Sequence, residues 1–158
     1  MTTEAPRKHL DAIELLMQDH RELESLFREF EYLQAKDEDT GRVVDAACAE
    51  LKTHHALNSE LFYPAIFDAV GESEIDDVLA QAEESHQAIP GLVARVEEAE
   101  ADRAQRDASF SVLTRHVERQ FELSETRVFP RARQLTRLDL VSVADRMKAR
   151  RNDLAHQV

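Results

Sequence analysis

Three histidines, His20, His54 and His86, carry the most chemistry in this 158-residue chain. Each falls within a run of apolar residues recurring at steps of three and four, which puts each ring on the buried face of a different helix. A lone histidine on such a face is ordinarily a core residue whose second nitrogen finds a carbonyl or water. Three that meet in one layer are different, because clustered neutral imidazoles are donors suited to iron, copper or zinc. Other residues expected in that layer are Asn58, Gln120 and Ser124 as polar lining, Tyr63 as an inward hydroxyl, and His116, one turn before Gln120, as a fourth nitrogen. Phe62 and Phe67 beside Tyr63 favour plain core packing over the role of inward hydroxyl. Glu24, one turn after His20, and Glu83, three residues before His86, are carboxylates within reach of the layer. His55 and Glu60 sit about 100° and 240° around the helix from His54 and are read as solvated surface. The residues alone leave two states open. One is a single divalent ion on three or four histidines with a position for water or a small ligand. The other is a hydrogen-bonded or water-filled polar layer without metal.

Such rings need rods to hold them, and the apolar pattern supplies four. Ile13, Leu16, Met17, His20, Leu23, Phe27 and Phe30 predict a helix over roughly residues 9–35. Val44, Ala47, Leu51, His54, Asn58, Phe62 and Ala65 predict a second, running to about residue 69 and closed by Gly71. A third follows from Ile75, Leu79, Ala82, His86, Ile89, Val93 and Val96, and a fourth from Phe110, Leu113, Val117, Gln120, Ser124 and Val128. Leu140, Val141, Ala144 and Met147 predict a shorter fifth helix with Asp139 as its N-cap. Pro90-Gly91 falls inside the third stripe and predicts a kink beside His86, since Pro90 cannot donate to the carbonyl of residue 86. Pro64 and Pro130 are expected to kink or end their helices.

The two halves repeat. At an offset of 66 residues His20 matches His86, Leu23 matches Ile89, Leu26 matches Leu92 and Pro64 matches Pro130. Two similar helical hairpins bury their apolar faces best against each other, so the expected fold is all-α: an antiparallel up-down-up-down four-helix bundle over residues 9–135. Residues 1–8 are expected to be a flexible N-terminus and 136–158 an accessory C-terminal helix.

Composition narrows the partners. Twenty Lys and Arg against 32 Asp and Glu give a net charge of −12, which argues against nucleic acid and anionic lipid as partners. Residues 127–151 hold eight Arg or Lys against Asp139 and Asp145, a net +6 that leaves −18 for the rest of the chain. That basic stretch is expected to pair with the acidic body or face water. Cys48 is the one cysteine, so there is no internal disulfide framework or zinc ribbon, and a reducing, cytoplasmic setting is expected. Nowhere do eighteen apolar residues run consecutively, and neither a signal peptide nor a membrane span is expected. No G-x-S-x-G, P-loop, C-x-x-C or H-E-x-x-H motif occurs, so nucleophilic catalysis has no support.

Order and spacing of several segments are similar to those of a known family. Asp19-His20-Arg21 ahead of Leu26-Phe27, Leu51-Lys52-Thr53-His54 leading to Phe62-Tyr63-Pro64-Ala65, Glu83 to His86, and Val128-Phe129-Pro130-Arg131 resemble the hemerythrin-like, or HHE cation-binding, domains. The resemblance covers nearly the whole chain. It implies a four-helix bundle around an oxo-bridged di-iron centre, with roles in oxygen binding, nitric oxide or peroxide handling, or iron sensing. His20, His54 and His86 match the family's metal histidines. The family commonly has Glu four residues after the second histidine, where this chain has Asn58; on the fourth helix it has His and Glu where this chain has Gln120 and Ser124.

Two iron ions a few ångströms apart repel strongly in a low-dielectric core, and bridging carboxylates offset much of that repulsion. With Asn58 and Ser124 neutral, a standard di-iron centre is disfavoured. The expectation is an eroded site holding iron or another divalent metal as a single ion, with a small ligand such as dioxygen or nitric oxide. A metal-free structural or interaction module, acting as a homodimer or through its basic segment, is one alternative. A di-iron protein with replacement ligands is another.

Overall fold

The computed structural model describes residues 9–71 and 74–157, so the expected flexible segment 1–8 lies outside the described residues. All regular structure among them is helical, with no strand. In chain order the helices are α1 (Ala12–Ala35), α2 (Gly41–Leu57), α3 (Tyr63–Val70), α4 (Asp77–Gln87), α5 (Ile89–Glu98), α6 (Arg103–Leu123), α7 (Phe129–Arg133) and α8 (Leu140–Ala155). None of them is long and apolar enough to cross a membrane.

Local chemistry sets the ends. Asp11 accepts from the Glu14 amide while Glu14 reaches back to the Asp11 amide, a reciprocal cap that starts α1 at Ala12 rather than near residue 9. Asp76, Asp102 and Asp139 cap α4, α6 and α8 through the amides of Leu79, Gln105 and Ser142. Gly71, with φ of 81°, ends α3 in a backbone conformation that side chains resist.

The second and fourth rods each contain a wide turn. Residues Asn58–Phe62 and Ser124–Val128 are π-helical, with the amides of Tyr63 and Phe129 reaching back five residues to the carbonyls of Asn58 and Ser124. The cause lies one residue on. Pro64 and Pro130 have no amide to give, and their rings press on the carbonyl four residues earlier, so the turn before them opens. Both segments fall at the same place in the sequence repeat, 66 residues apart. The third rod is broken at Ala88 between α4 and α5, where Pro90 sits in the first turn of α5.

α1 packs on α2, α5 on α6, and α2 on α5, while α8 lies against α1, α2 and the first π turn. The apolar core is in two parts. One gathers Leu16, Leu57, Phe62, Ile66, Leu79 and Met147; the other gathers Leu23, Phe27, Leu51, Ile89, Phe110 and Phe121. His20, His54 and His86 fall between them along their helices, so a polar layer separates two dry ones. The basic C-terminal stretch pairs with the acidic body: Arg133 with Asp11 at 2.9 Å, Arg150 with Glu60 at 2.7 Å and Arg151 with Asp19 at 2.6 Å.

Candidate metal centre

α1 delivers His20, α2 His54 and α4 His86, each 2% exposed. The rings meet in a row: His20 and His54 have centroids 5.2 Å apart, and His54 and His86 5.8 Å. Tyr63 adds a fourth ring 5.7 Å from His86. Phe121 of α6 stacks on His20 at 3.8 Å with the planes 11° apart and meets His54 edge-on, which fixes both imidazoles from the apolar side.

The nitrogens show which way each ring works. Nδ1 of His54 lies 3.4 Å from the carboxylate of Asp19, an acceptor only when ionised, so that nitrogen carries the proton. On the other side Asn58 directs its amide nitrogen at both the His54 carbonyl, 2.9 Å away, and His54 Nε2, 3.3 Å away. Nε2 is therefore the lone pair. His20 repeats the pattern, with Nδ1 3.4 Å from Glu125. His86 has Nδ1 3.0 Å from Nδ1 of His55, and its Nε2 is buried without a partner. All three rings are thus engaged at Nδ1 by groups outside the layer.

Burial, then the neighbouring His54 and Arg21, pushes His20 down to about 2. Burial and the surrounding histidines hold His86 well below its ordinary value. Both rings are neutral at pH 7, the form that donates to a metal. Burial likewise raises Tyr63 to about 12, with hydrogen bonds from Gln120 and Ser124 opposing it, so its phenol stays protonated.

Gln120 and Ser124 complete the layer from α6 and the second π turn. Gln120 donates to Tyr63 Oη and the Ala82 carbonyl, both at 3.3 Å, and to Ser124 Oγ at 3.4 Å. Its own Oε1 is buried with nothing to accept from. Asn58, Tyr63, Gln120 and Ser124 are thereby brought together with His20, His54 and His86. His116 is half-buried and tied elsewhere, with Nε2 donating to the Ser85 carbonyl at 2.8 Å.

His55 does not face solvent as expected. It is half-buried and stacks on His86 with centroids 4.8 Å apart. A position about 100° from His54 falls on the seam where α2 meets its neighbour, a placement that only packing decides. Glu60 is exposed and pairs with Arg150. Sequence reasoning also passed over Asp19, although it lies three residues after Leu16 and four before Leu23, on the same stripe as His20. Glu125 carried no such signal.

The layer does not suit a bridged pair of ions, because its polar members other than the histidines, Asn58, Tyr63, Gln120 and Ser124, are neutral. Its three imidazoles stand in a row and their nitrogens do not all lie within 4.8 Å of one another, so a single ion on all three requires the rings to draw together. Among the described residues, the one group of three or more His, Cys, Asp or Glu side chains whose ligand atoms all lie within 4.8 Å of one another is Asp19, Glu22 and Glu50, on the outer side of His54. Arg151 sits within it.

No curated protein and no solved structure matches the chain. A family model described as the hemerythrin HHE cation binding domain matches residues 11–132, a span that holds every ring of the layer and both π turns. The chain belongs to that family.

Proposed function

We propose that the four rods run up-down-up-down and hold a single divalent metal ion, iron or another, on Nε2 of His20, His54 and His86. The ion serves to bind a small ligand such as dioxygen or nitric oxide, or to report metal availability, in the cytoplasm. The observation that carries this reading is the common engagement of the three Nδ1 atoms by Glu125, Asp19 and His55. Metal-binding histidines almost always direct their other ring nitrogen to a carboxylate, carbonyl or water, as His54 and His20 do toward Asp19 and Glu125, which fixes ring orientation and strengthens the donor. When bound, an ion there supplies a Lewis-acidic position for a small ligand.

The protein's own residues do the rest. Gln120 Oε1 accepts from a protic ligand, Tyr63 and Ser124 offer hydroxyls, and Phe121 with Phe129 keeps water from the His20 side. His116, bonded to Ser85, is left out of the donor set. Metal content after purification without chelator, compared between the native chain and His54→Ala, tests the assignment; the variant is expected to lose the ion.

One observation favours a second reading, a metal-free module that kept the bundle. Asn58 already occupies His54 Nε2, as it would in a layer satisfied from within. In that case chelators leave the melting temperature unchanged.

A further inference from the structure

We propose that Arg151, on the C-terminal helix, is a positioning residue for His54. By clamping the buried Asp19 carboxylate it fixes which nitrogen of the His54 ring carries the proton and keeps Nε2 as the lone pair facing the layer. The consequence for metal binding rests on the function proposed above, whereas the clamp stands on geometry alone.

One oxygen receives both groups. Arg151 Nη2 lies 2.6 Å from Asp19 Oδ2, and His54 Nδ1 lies 3.4 Å from the same atom. The other arm of the guanidinium, Nη1, lies 3.6 Å from Glu50 Oε1. Asp19 is 5% exposed, and a carboxylate so placed needs a cation and hydrogen-bond donors to stay put. Its other near neighbours are the wrong sign: ligand atoms of Asp19, Glu22 and Glu50 all lie within 4.8 Å of one another. Only a planar fork with two parallel arms serves two of these acids at once; a lysine ammonium is a single point charge.

A cleft of about 370 Å³ runs between α1 and α8, lined by Leu15, Asp19, Leu57, Met147 and Arg151 among others. Removing the Arg151 side chain opens Asp19 to that cleft. Repulsion from Glu22 and Glu50 then turns the carboxylate toward water, and the His54 ring loses the acceptor that, together with the Asn58 amide on its other side, selects its tautomer. Arg150, the preceding residue, reaches Glu60 instead and touches nothing in the layer. α8 lies wholly outside residues 11–132, so the clamp comes from beyond the span that the family model matches.

Nitrogen-15 NMR of the imidazoles in the metal-free, full-length protein reads the tautomer directly, and a zinc titration of the same samples reads the consequence. In the native chain His54 is expected as the Nδ1-protonated form alone. Arg151→Leu is expected to populate both tautomers and to weaken zinc binding roughly 10- to 100-fold. Arg151→Lys should recover part of both effects, and Arg150→Leu should change neither. A single unchanged tautomer in Arg151→Leu, or an equal shift in Arg150→Leu, overturns the proposal. If Arg151→Leu does not fold, Arg151→Gln carries the test, and an unchanged His54 tautomer there overturns it too. A native chain that takes up no zinc overturns the metal-binding reading, while the tautomer comparison still decides the role of Arg151.

Discussion

The amide nitrogen of Asn58 stands 3.3 Å from Nε2 of His54 and 2.9 Å from the His54 carbonyl, so one side chain satisfies the ring nitrogen that faces the layer and the backbone one turn away. Asn58 therefore does two things: it supports the metal-free layer, and it competes with any metal for that lone pair. Asn58→Ala leaves a buried nitrogen unpaired, which costs roughly 1–3 kcal/mol. The metal-free variant is expected to be less stable than the native chain by that amount, to melt lower, and to be stabilised more by added zinc than the native chain is. Thermal melts with and without the metal check both halves.

Restoring the acids should restore a second ion. Asn58 and Ser124 each open a π turn at equivalent places in the two halves, and Gln120 stands where the repeat would put a counterpart of His54. The triple variant Asn58→Glu, Gln120→His, Ser124→Glu supplies two carboxylates and a fourth imidazole to the layer. Iron content is expected to rise from one to two per chain, with an oxo-bridged ferric absorption band that the native protein lacks. Iron analysis and the visible spectrum of the ferric protein measure it.

Acid should unfold the metal-free protein early. His20 and His86 have folded-state values below the ordinary 6.5, His20 at about 2, so the unfolded chain binds more protons than the folded one between those limits. Stability is therefore unaffected by these rings above pH 6.5 and falls as the pH drops from there toward the folded values. Each ring contributes a slope of up to about 1.4 kcal/mol per pH unit. Denaturant midpoints at pH 7.5, 6 and 5 are expected to decline in that order, and His86→Phe should flatten the decline.

Phe121 carries both packing and ring placement. It is buried against His20 and His54, and Phe121→Ala should destabilise by about 3–5 kcal/mol. Because the ring it removes also holds two candidate donors in place, metal affinity should fall with stability. Phe121→Leu, which refills much of the volume, should recover stability more than affinity. Urea titration and metal titration of the two variants separate the effects.

Much of the scaffold could be read from residue spacing. The stripe from Ile13 to Phe30, the cap at Asp139 and the closing Gly71 act through local backbone chemistry, so their signals sit in adjacent residues. The break beside His86 was legible from Pro90 for the same reason, whereas Pro64 and Pro130 announced a disturbance but not its form as a π turn. The outer partners were harder to read. His55 is set by the seam between helices, Glu125 by the widened turn, and Arg151 by how α8 lies on α1 and α2, and none of these follows from one helix's period.

The most direct test is the amount of metal the native protein holds. Elemental analysis of protein purified without chelator should find one divalent ion per chain, lost in His54→Ala, and the ferric form should show no oxo-bridged band. Two irons per chain with that band, or no metal at all and a melting temperature indifferent to chelator, would contradict a single ion held by three imidazoles.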